Sequence, residues 1–198
     1  MFKPRFRNGI PMSHKLITRD TSTLLEIRES DTSERIISGI SVPFSTFTRI
    51  DSWEGHFEEQ VLRGAFKKTI AERGDKVKLL AHHDSRSMPL GRAVLLEERS
   101  DGLYSEFKLS RTQAADEALE LVRDGAITGL SVGMRVLGER WSVKQDRRTI
   151  TEIALMEVSL CNFPAYETAG ITGTRSITDI SATSESLQRR LRVLKLGN

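Results

Sequence analysis

The sequence predicts an α+β domain with a mostly antiparallel, β-barrel-like core and a few surrounding helices. Several segments alternate apolar and polar residues, as half-buried strands do, and one D-G turn joins two of them at residues 100–102. Only two stretches show clear helical spacing inside the folded part, and both are short. The 198 residues leave room for one domain with a sizeable core.

Three parts are expected along the chain. Residues 1–23 form a basic flexible arm, since they have no clear period and contain the early prolines Pro4 and Pro11. Residues 24–166 form the folded domain. Residues 167–198 form a Ser/Thr-rich linker and a basic tail, because the composition there loses its apolar period.

The first half of the domain begins with a hairpin. Segments 24–29 and 35–44 are rich in β-branched residues and predict two strands. Residues 45–59 are polar and mixed, which indicates a long surface loop. Residues 61–74 then have apolar side chains at helical spacing and predict a short helix that ends at Gly74.

A strand over residues 76–83 follows. If it persists to its end, His82 and His83 point to opposite faces, so only one of them can face a given site. Residues 92–98 and 103–109 predict the hairpin around the D-G turn.

The second half holds the clearest helix, over residues 112–124. Its apolar stripe consists of Ala115, Ala118, Leu119 and Val122. The strand around Ser131 comes next, and a polar hairpin leads to a long strand over residues 148–161. Alternation in that strand places Met156, Val158 and Leu160 on one face and Leu155, Glu157 and Ser159 on the other.

Composition excludes several classes of protein. Hydrophobic residues make up 38% and charged residues 29%, and no apolar run has the length of a membrane span. Cys161 is the single cysteine, so it forms no internal disulfide and has no partner for a CxxC metal site, which suits a reducing cytoplasm. The basic N-terminus has no apolar signal core, so nothing indicates export. No cofactor or metal site is expected.

Positive charge is concentrated at the two ends. Residues 1–19 and 187–198 contain basic side chains and no acidic ones: Lys3, Arg5, Arg7, Lys15, Arg19, Arg189, Arg190, Arg192 and Lys195. These ends could contact nucleic acid or an acidic protein, although charged ends are usually just solvated.

The segment G-L-S-V-G places Ser131 between Gly129 and Gly133. Glycines without side chains would let a substrate backbone approach the hydroxyl, which attack on a carbonyl requires. We therefore interpret Ser131 as a nucleophile.

This segment also satisfies the G-x-S-x-G pattern of α/β-hydrolases, but that class is excluded. Its nucleophile precedes a helix and its catalytic histidine follows in the chain. Here the residues after Ser131 alternate as in a strand, and all histidines come earlier. A triad would belong to another fold.

Six blocks in order resemble the prohead protease family of tailed bacteriophages, of the HK97 type, which is related in fold to herpesvirus assemblin. They run from about residue 39 to residue 165: R-G-A-F at 63–66, K-L-L-A-H-H-D at 78–84, P-L-G-R at 89–92, D-G-L-Y at 101–104, G-L-S-V-G-M at 129–134, and M-E-V-S-L with N-F-P-A at 156–165. The chain departs from the family at Arg63, where a proline is common, and at His82, where the family has another residue.

The resemblance implies a serine endopeptidase inside the procapsid, in the host cytoplasm. Its partners would be the major capsid protein and the scaffolding segment that it removes, and it would also cleave itself. The likeness to assemblin further implies a homodimer. A non-enzymatic capsid scaffold or assembly protein with a degenerate protease fold is the competing hypothesis.

Carried over by motif, the resemblance places the catalytic roles on His83, Ser131 and Glu157. The residues themselves favour the same choice: an imidazole beside a polar loop can accept the serine proton, and a carboxylate can fix its tautomer. His82 and Asp84 stay open as alternative third members in place of Glu157. The backbone around residues 132–135 is the nearest candidate for the oxyanion donors.

Overall fold

A computed structural model of the chain describes residues 6–7, 10–11, 16–22, 25–29 and 35–162. All of them belong to the compact unit Met1–Glu167. The predicted linker and basic tail over 167–198 lie outside the described residues, as does most of the predicted arm. No helix among the described residues is long and apolar enough to cross a membrane.

Strands dominate the described part of the chain. In chain order they are β1 (Phe6–Arg7), β2 (Ile10–Pro11), β3 (Ile17–Ser22), β4 (Glu26–Glu29), β5 (Arg35–Pro43), β6 (Thr48–Ser52), β7 (Gly55–Val61), β8 (Lys78–Ala81), β9 (Gly91–Glu98), β10 (Gly102–Leu109), β11 (Gly129–Trp141) and β12 (Arg147–Cys161). Two helices accompany them: α1 (Lys67–Arg73), which continues into a 3-10 turn over Gly74–Lys76, and α2 (Gln113–Arg123).

Ten of these strands form one curved sheet. Its main path is β3-β11-β12-β8-β9-β10-β5-β4, while β7 also pairs with β12 and β6 pairs with β7. The Thr21 hydroxyl of β3 donates a hydrogen bond of 3.0 Å to the Ser41 carbonyl of β5, near the other end of this path, so the sheet is curved into a half-barrel.

The sheet is mixed, so the predicted antiparallel barrel is only partly correct. Strand β12 runs parallel to β7 over residues 147–150 and parallel to β8 over residues 157–160. Both parallel neighbours precede β12 by many residues, and such a pairing leaves no local signature in the sequence because it depends on a long connection.

Local patterns predicted several elements correctly. The hairpins β4–β5 and β9–β10 form as expected. Helix α2 buries its whole predicted stripe, and the Thr112 side chain caps its first turn by accepting from the Ala115 amide at 3.4 Å. Helix α1 is shorter than predicted and ends beside Gly74.

Two predicted loops are strands instead. Residues 17–22, assigned to the flexible arm, form β3 and pair with β11. Residues 45–59, assigned to a surface loop, contain β6 and most of β7. In β7 the buried positions are Phe57, Glu59 and Val61. An acid at the middle buried position hid the apolar alternation that would have identified the strand.

Two details of strand direction also differ from the prediction. Strand β8 ends at Ala81, and His82 and His83 both take left-handed conformations with φ of 51° and 58°, so the rule of alternating faces does not apply to them. In β12 the register against β11 shifts at Met156, and Leu155 therefore joins the core together with Val158 and Leu160.

The hydrophobic core lies on one face of the sheet. Its largest fully buried side chains include Phe66, Phe107, Leu79, Leu103 and Leu130. In β11, Val132 and Met134 point into this core. Side chains alternate along a strand, so Ser131 and Gly133 belong to the opposite face, where the candidate site lies.

Candidate active site

Ser131 lies on a central strand of the sheet. It pairs with Asp20 of β3 on one side and with Ser159 of β12 on the other. Its neighbours bury it completely. The position of its hydroxyl is therefore fixed by the two flanking strands and does not depend on a loop.

His83 comes from the turn after β8. The turn is held by the Asp84 amide, which donates to Ala81 O at 3.0 Å, and by the His82 amide, which donates to Leu160 O at 3.1 Å. Left-handed non-glycine residues cost on the order of 1–3 kcal/mol each. The backbone contacts of the turn offset this cost and direct the His83 ring over β11 and β12.

The His83 ring bridges Ser131 and Glu157. Its Nε2 lies 2.5 Å from Ser131 Oγ, and its Nδ1 lies 2.5 Å from Glu157 Oε1. An ionised carboxylate only accepts hydrogen bonds, so Nδ1 carries the proton. In the neutral ring Nε2 is then an acceptor, and the Ser131 hydroxyl donates to it. This is the arrangement that a general base needs in order to take a proton from an alcohol.

Glu157 is positioned by Ser159, which sequence reasoning did not single out, and by Gly133, for which the sequence suggested another role. Ser159 Oγ donates to Glu157 Oε2 at 2.7 Å and accepts from the His83 amide at 3.0 Å. A Cβ on Gly133 would overlap Glu157 Oε1 and stand 3.0 Å from its carboxyl carbon. Gly133 therefore makes room for the carboxylate, whereas the sequence suggested that it makes room for a substrate.

Asp20 is the other residue that the sequence did not reveal. Its Oδ1 lies 3.9 Å from His83 Nε2, and it belongs to the strand that was predicted to be a flexible arm. Burial lowers the pKa of His83, but the contacts with Asp20, Cys161 and Glu157 outweigh this effect and raise the pKa above its usual 6.5. The site as a whole thus favours the imidazolium.

The two alternative third members lie elsewhere. The carboxylate of Asp84 accepts from the Arg86 amide at 3.0 Å and from the Ser87 hydroxyl at 2.5 Å, so it organises its own exposed loop. The Ser87 bond and the Arg86 bond lower the pKa of Asp84. The side chain of His82 is exposed. Of the three candidates for the third member, Glu157, Asp84 and His82, it is Glu157 that contacts the His83 ring.

The backbone suggested for the oxyanion is not suitable over residues 132–134. Each of these residues pairs with β3 and with β12 at once. In a strand between two neighbours the amide groups bond within the sheet, so they cannot turn toward a substrate.

The fold also gathers a set of metal-ligating atoms that the spacing of residues in the sequence did not suggest. One ligand atom from each of Asp20, His83 and Cys161 lies within 4.8 Å of the others. The three residues are distant in sequence and meet only because β3, the turn after β8 and the end of β12 converge at one end of β11.

Comparisons with known proteins agree with this architecture. A solved structure of the bacteriophage T4 capsid assembly protease superposes with a TM-score of 0.56, covering 74% of this chain and 96% of that one, at 12% identity. At that identity the likeness concerns the fold alone. The prohead protease of Enterobacteria phage HK97 is 33% identical over 122 residues, which are 61% of this chain. The match spans 54%, about half, of that relative's length.

Family membership follows from a broader match. A family model described as caudovirus prohead serine protease matches residues 23–185, which include every residue of the site except Asp20. The protein therefore belongs to the caudovirus prohead serine protease family.

Proposed function

We propose that the chain is a serine endopeptidase that acts inside the phage procapsid. Its substrate would be the scaffolding segment of the major capsid protein, whose removal belongs to head maturation. The observation that carries the proposal is the continuous contact from Ser131 Oγ through the His83 ring to Glu157, with 2.5 Å at each step.

In this mechanism each side chain has one task. Ser131 Oγ attacks the carbonyl carbon of the scissile peptide while His83 Nε2 takes its proton. The imidazolium then gives that proton to the leaving amine nitrogen, and an acyl-enzyme on Ser131 remains. Water attacks the ester with His83 again as base, which releases the new carboxyl end and restores the hydroxyl. In both acylation and hydrolysis of the acyl-enzyme, Glu157 fixes the tautomer of His83 and stabilises its imidazolium form.

The substrate would approach from the side of His83. Ser131 is fully buried, whereas the side chains of His83 and Asp20 are 24% and 28% exposed. A peptide would therefore reach the hydroxyl along the surface formed by these two residues. Because the Ser131 hydroxyl is buried between two strands, an extended segment such as a scaffold linker suits it better than a folded domain does.

The proposal is tested by Ser131→Ala in procapsids assembled with the full chain. Removal of the nucleophile should stop processing of the major capsid protein while assembly continues. Ser105→Ala is the matched control, because Ser105 is also fully buried but bonds to Ser41, away from the site. Continued processing by the Ser131→Ala variant would instead favour the non-enzymatic scaffold.

Three related expectations stay predictions. Self-cleavage would fall in the segment after Glu167, outside the described residues, and would appear as shortening of the purified wild-type chain but not of the Ser131→Ala chain. The homodimer, and contact of the basic ends with nucleic acid, also stay predictions. Arg19 is unsuited to nucleic-acid contact, since it pairs with Glu54 and Glu59 at 2.8 and 2.6 Å.

A further inference from the structure

Asp20, His83 and Cys161 present three different metal-ligating groups at one point. The carboxylate, the imidazole and the thiol each offer one atom, and these atoms lie within 4.8 Å of one another. Sheet pairing fixes the backbone of two of them, because Asp20 pairs with Ser131 and Cys161 pairs with Gly129. The third, His83, lies in the turn after β8, where its amide donates to Ser159 Oγ at 3.0 Å.

The ring of His83 is already oriented as in a metal site. Its Nδ1 proton is bound by Glu157 Oε1 at 2.5 Å, so in the neutral ring the lone pair is on Nε2, which lies 2.5 Å from Ser131 Oγ and 3.9 Å from Asp20 Oδ1. Metal-bound histidines usually donate their other ring nitrogen to a carboxylate in this way, which fixes the tautomer and makes the ring a better ligand.

The chemistry of the donors selects the kind of ion. A thiolate, an imidazole and a carboxylate together suit Zn²⁺, which binds such ligands at about 2.0–2.3 Å in a tetrahedron. Neighbouring ligand atoms are then roughly 3.3–3.8 Å apart. The three atoms here, which lie within 4.8 Å of one another, would draw together by up to about 1–1.5 Å to reach that geometry. The fourth position would face the open side, where the Asp20 side chain is 28% exposed.

We propose that Asp20, His83 and Cys161 form an inhibitory zinc site. The proposal rests on the proposed function. The lone pair on His83 Nε2 that would bind the ion is the one that accepts the proton of Ser131, 2.5 Å away. One lone pair cannot do both, so the zinc-bound enzyme is inactive and removal of the ion restores it. Such a site would hold the protease silent until the ion is withdrawn.

Binding is tested without any cleavage assay. Untagged Ser131→Ala chain is titrated with Co²⁺, which replaces Zn²⁺ and gives a thiolate-to-metal absorption band in the near ultraviolet. Cys161 is the single cysteine of the chain, so this band reports on Cys161 alone. The titration is run at one fixed alkaline pH, since the metal binds the neutral ring. We expect the band at one equivalent of Co²⁺, its loss in Ser131→Ala/Cys161→Ser, and at least tenfold weaker binding in Ser131→Ala/Asp20→Asn.

Inhibition is tested on the chain with Ser131 intact. Zn²⁺ should abolish peptide cleavage, and EDTA should restore it. The zinc concentration for half-inhibition should rise at least tenfold in Cys161→Ser, measured relative to the zinc-free activity of that same variant. Cys161→Ala serves as a second variant, and circular dichroism checks that each variant is folded.

The outcomes separate the two proposals. Co²⁺ binding without a thiolate band, or equal zinc sensitivity in the wild type and both Cys161 variants, overturns the zinc site. A thiolate band in the Ser131→Ala chain, combined with no peptide cleavage by the chain with Ser131 intact even in EDTA, overturns the protease function and leaves the metal site standing. Cleavage that zinc does not inhibit leaves the protease standing and removes the inhibitory site.

Discussion

The carboxylate of Glu157 lies directly against the backbone of Gly133. A Cβ at position 133 would overlap Oε1, the same oxygen that bonds to His83 Nδ1. The two residues pair across β11 and β12, so neither backbone can withdraw without disturbing the sheet. Glycine at position 133 is therefore a requirement of the contact between Glu157 and His83.

Gly133→Ala should lower kcat by about 100-fold, because the added methyl group pushes the carboxylate away from the ring, and misplacing a positioned group by about 1 Å can cost this much. Steady-state cleavage of a peptide substrate measures it. Gly74→Ala is the control, since a Cβ there meets its nearest neighbour, Leu96, only at 3.9 Å. Unchanged kcat in Gly133→Ala would mean that Glu157 is not needed where it lies.

Ser159→Ala should reduce kcat more than it changes KM. Ser159 is a positioning residue that holds Glu157 Oε2 at 2.7 Å and the His83 amide at 3.0 Å. Without it both partners lose one contact, and we expect roughly a tenfold lower kcat, as one hydrogen bond of about 1–1.5 kcal/mol would give. Ser105→Ala, which removes a buried hydroxyl elsewhere, should lower stability with kcat unchanged. Equal kcat losses in both variants would reduce Ser159 to a packing role.

The elements predicted correctly from the sequence are those that local patterns determine. Helix α2 carries its apolar stripe and the Thr112 cap within a dozen consecutive residues, 112–123, and it forms close to the predicted bounds. The strand around Ser131 shows its alternation within a few residues. The resemblance of ordered blocks then selected His83 and Glu157, which no local pattern joins to Ser131.

The residues missed are those whose position depends on distant pairing. Asp20 reaches the site because β3 pairs with β11, more than 100 residues later, and nothing within residues 1–23 indicates that pairing. The polar character of residues 45–59 concealed β6 and β7, because Glu59 is buried beside Arg148. The bulge at Met156 likewise moved Leu155 to the core, since one extra residue changes the face.

Asp20→Asn should move the acid limb of the activity profile to lower pH. The pKa of His83 is raised, against burial, by Asp20 among other groups, so its imidazolium persists above pH 6.5. The neutral ring is the base, and activity therefore rises with pH through this raised pKa. Loss of the Asp20 carboxylate lowers the pKa of His83. For each pH unit by which this pKa falls, kcat/KM rises about tenfold at pH values below the pKa.

The shift of the acid limb is measured by determining kcat/KM as a function of pH for the variant and the wild type, with EDTA in the buffer. Asp51→Asn is the control, because Asp51 forms a similar pair with His56 on an exposed hairpin. A limb at the same pH in Asp20→Asn and in the wild type would show that Asp20 does not influence the base.

Glu157→Gln should lower kcat by about 100- to 10,000-fold. The amide oxygen can still accept from Nδ1, but it carries no charge to stabilise the imidazolium. If the side chain instead turns its NH2 group to Nδ1, the ring takes the other tautomer, in which Nε2 cannot accept the Ser131 proton. Asp84→Asn tests the alternative orienting acid, and we expect it to stay close to the wild-type rate because Asp84 bonds within its own loop. The reverse result, with Asp84→Asn the slower enzyme, would move the role from Glu157 to Asp84.

Arg148→Met should destabilise the fold without slowing the enzyme. Arg148 is only 4% exposed and donates to Glu54 and Glu59 at 3.0 Å and to Glu139 at 2.7 Å. Removing one partner of a buried ion pair leaves charge without compensation and typically costs about 3–5 kcal/mol in the free energy of unfolding.

Urea denaturation measures this loss, and peptide cleavage in the absence of denaturant measures the rate. Arg147→Met is the matched control, because Arg147 is 57% exposed and pairs with Glu58, which is 46% exposed. Exposed pairs contribute about 0–1 kcal/mol, so the control should shift the urea midpoint little. Similar midpoints for both variants would mean that the buried cluster contributes no more than a surface pair, and a selective loss of kcat in Arg148→Met would mean that the cluster acts on the site.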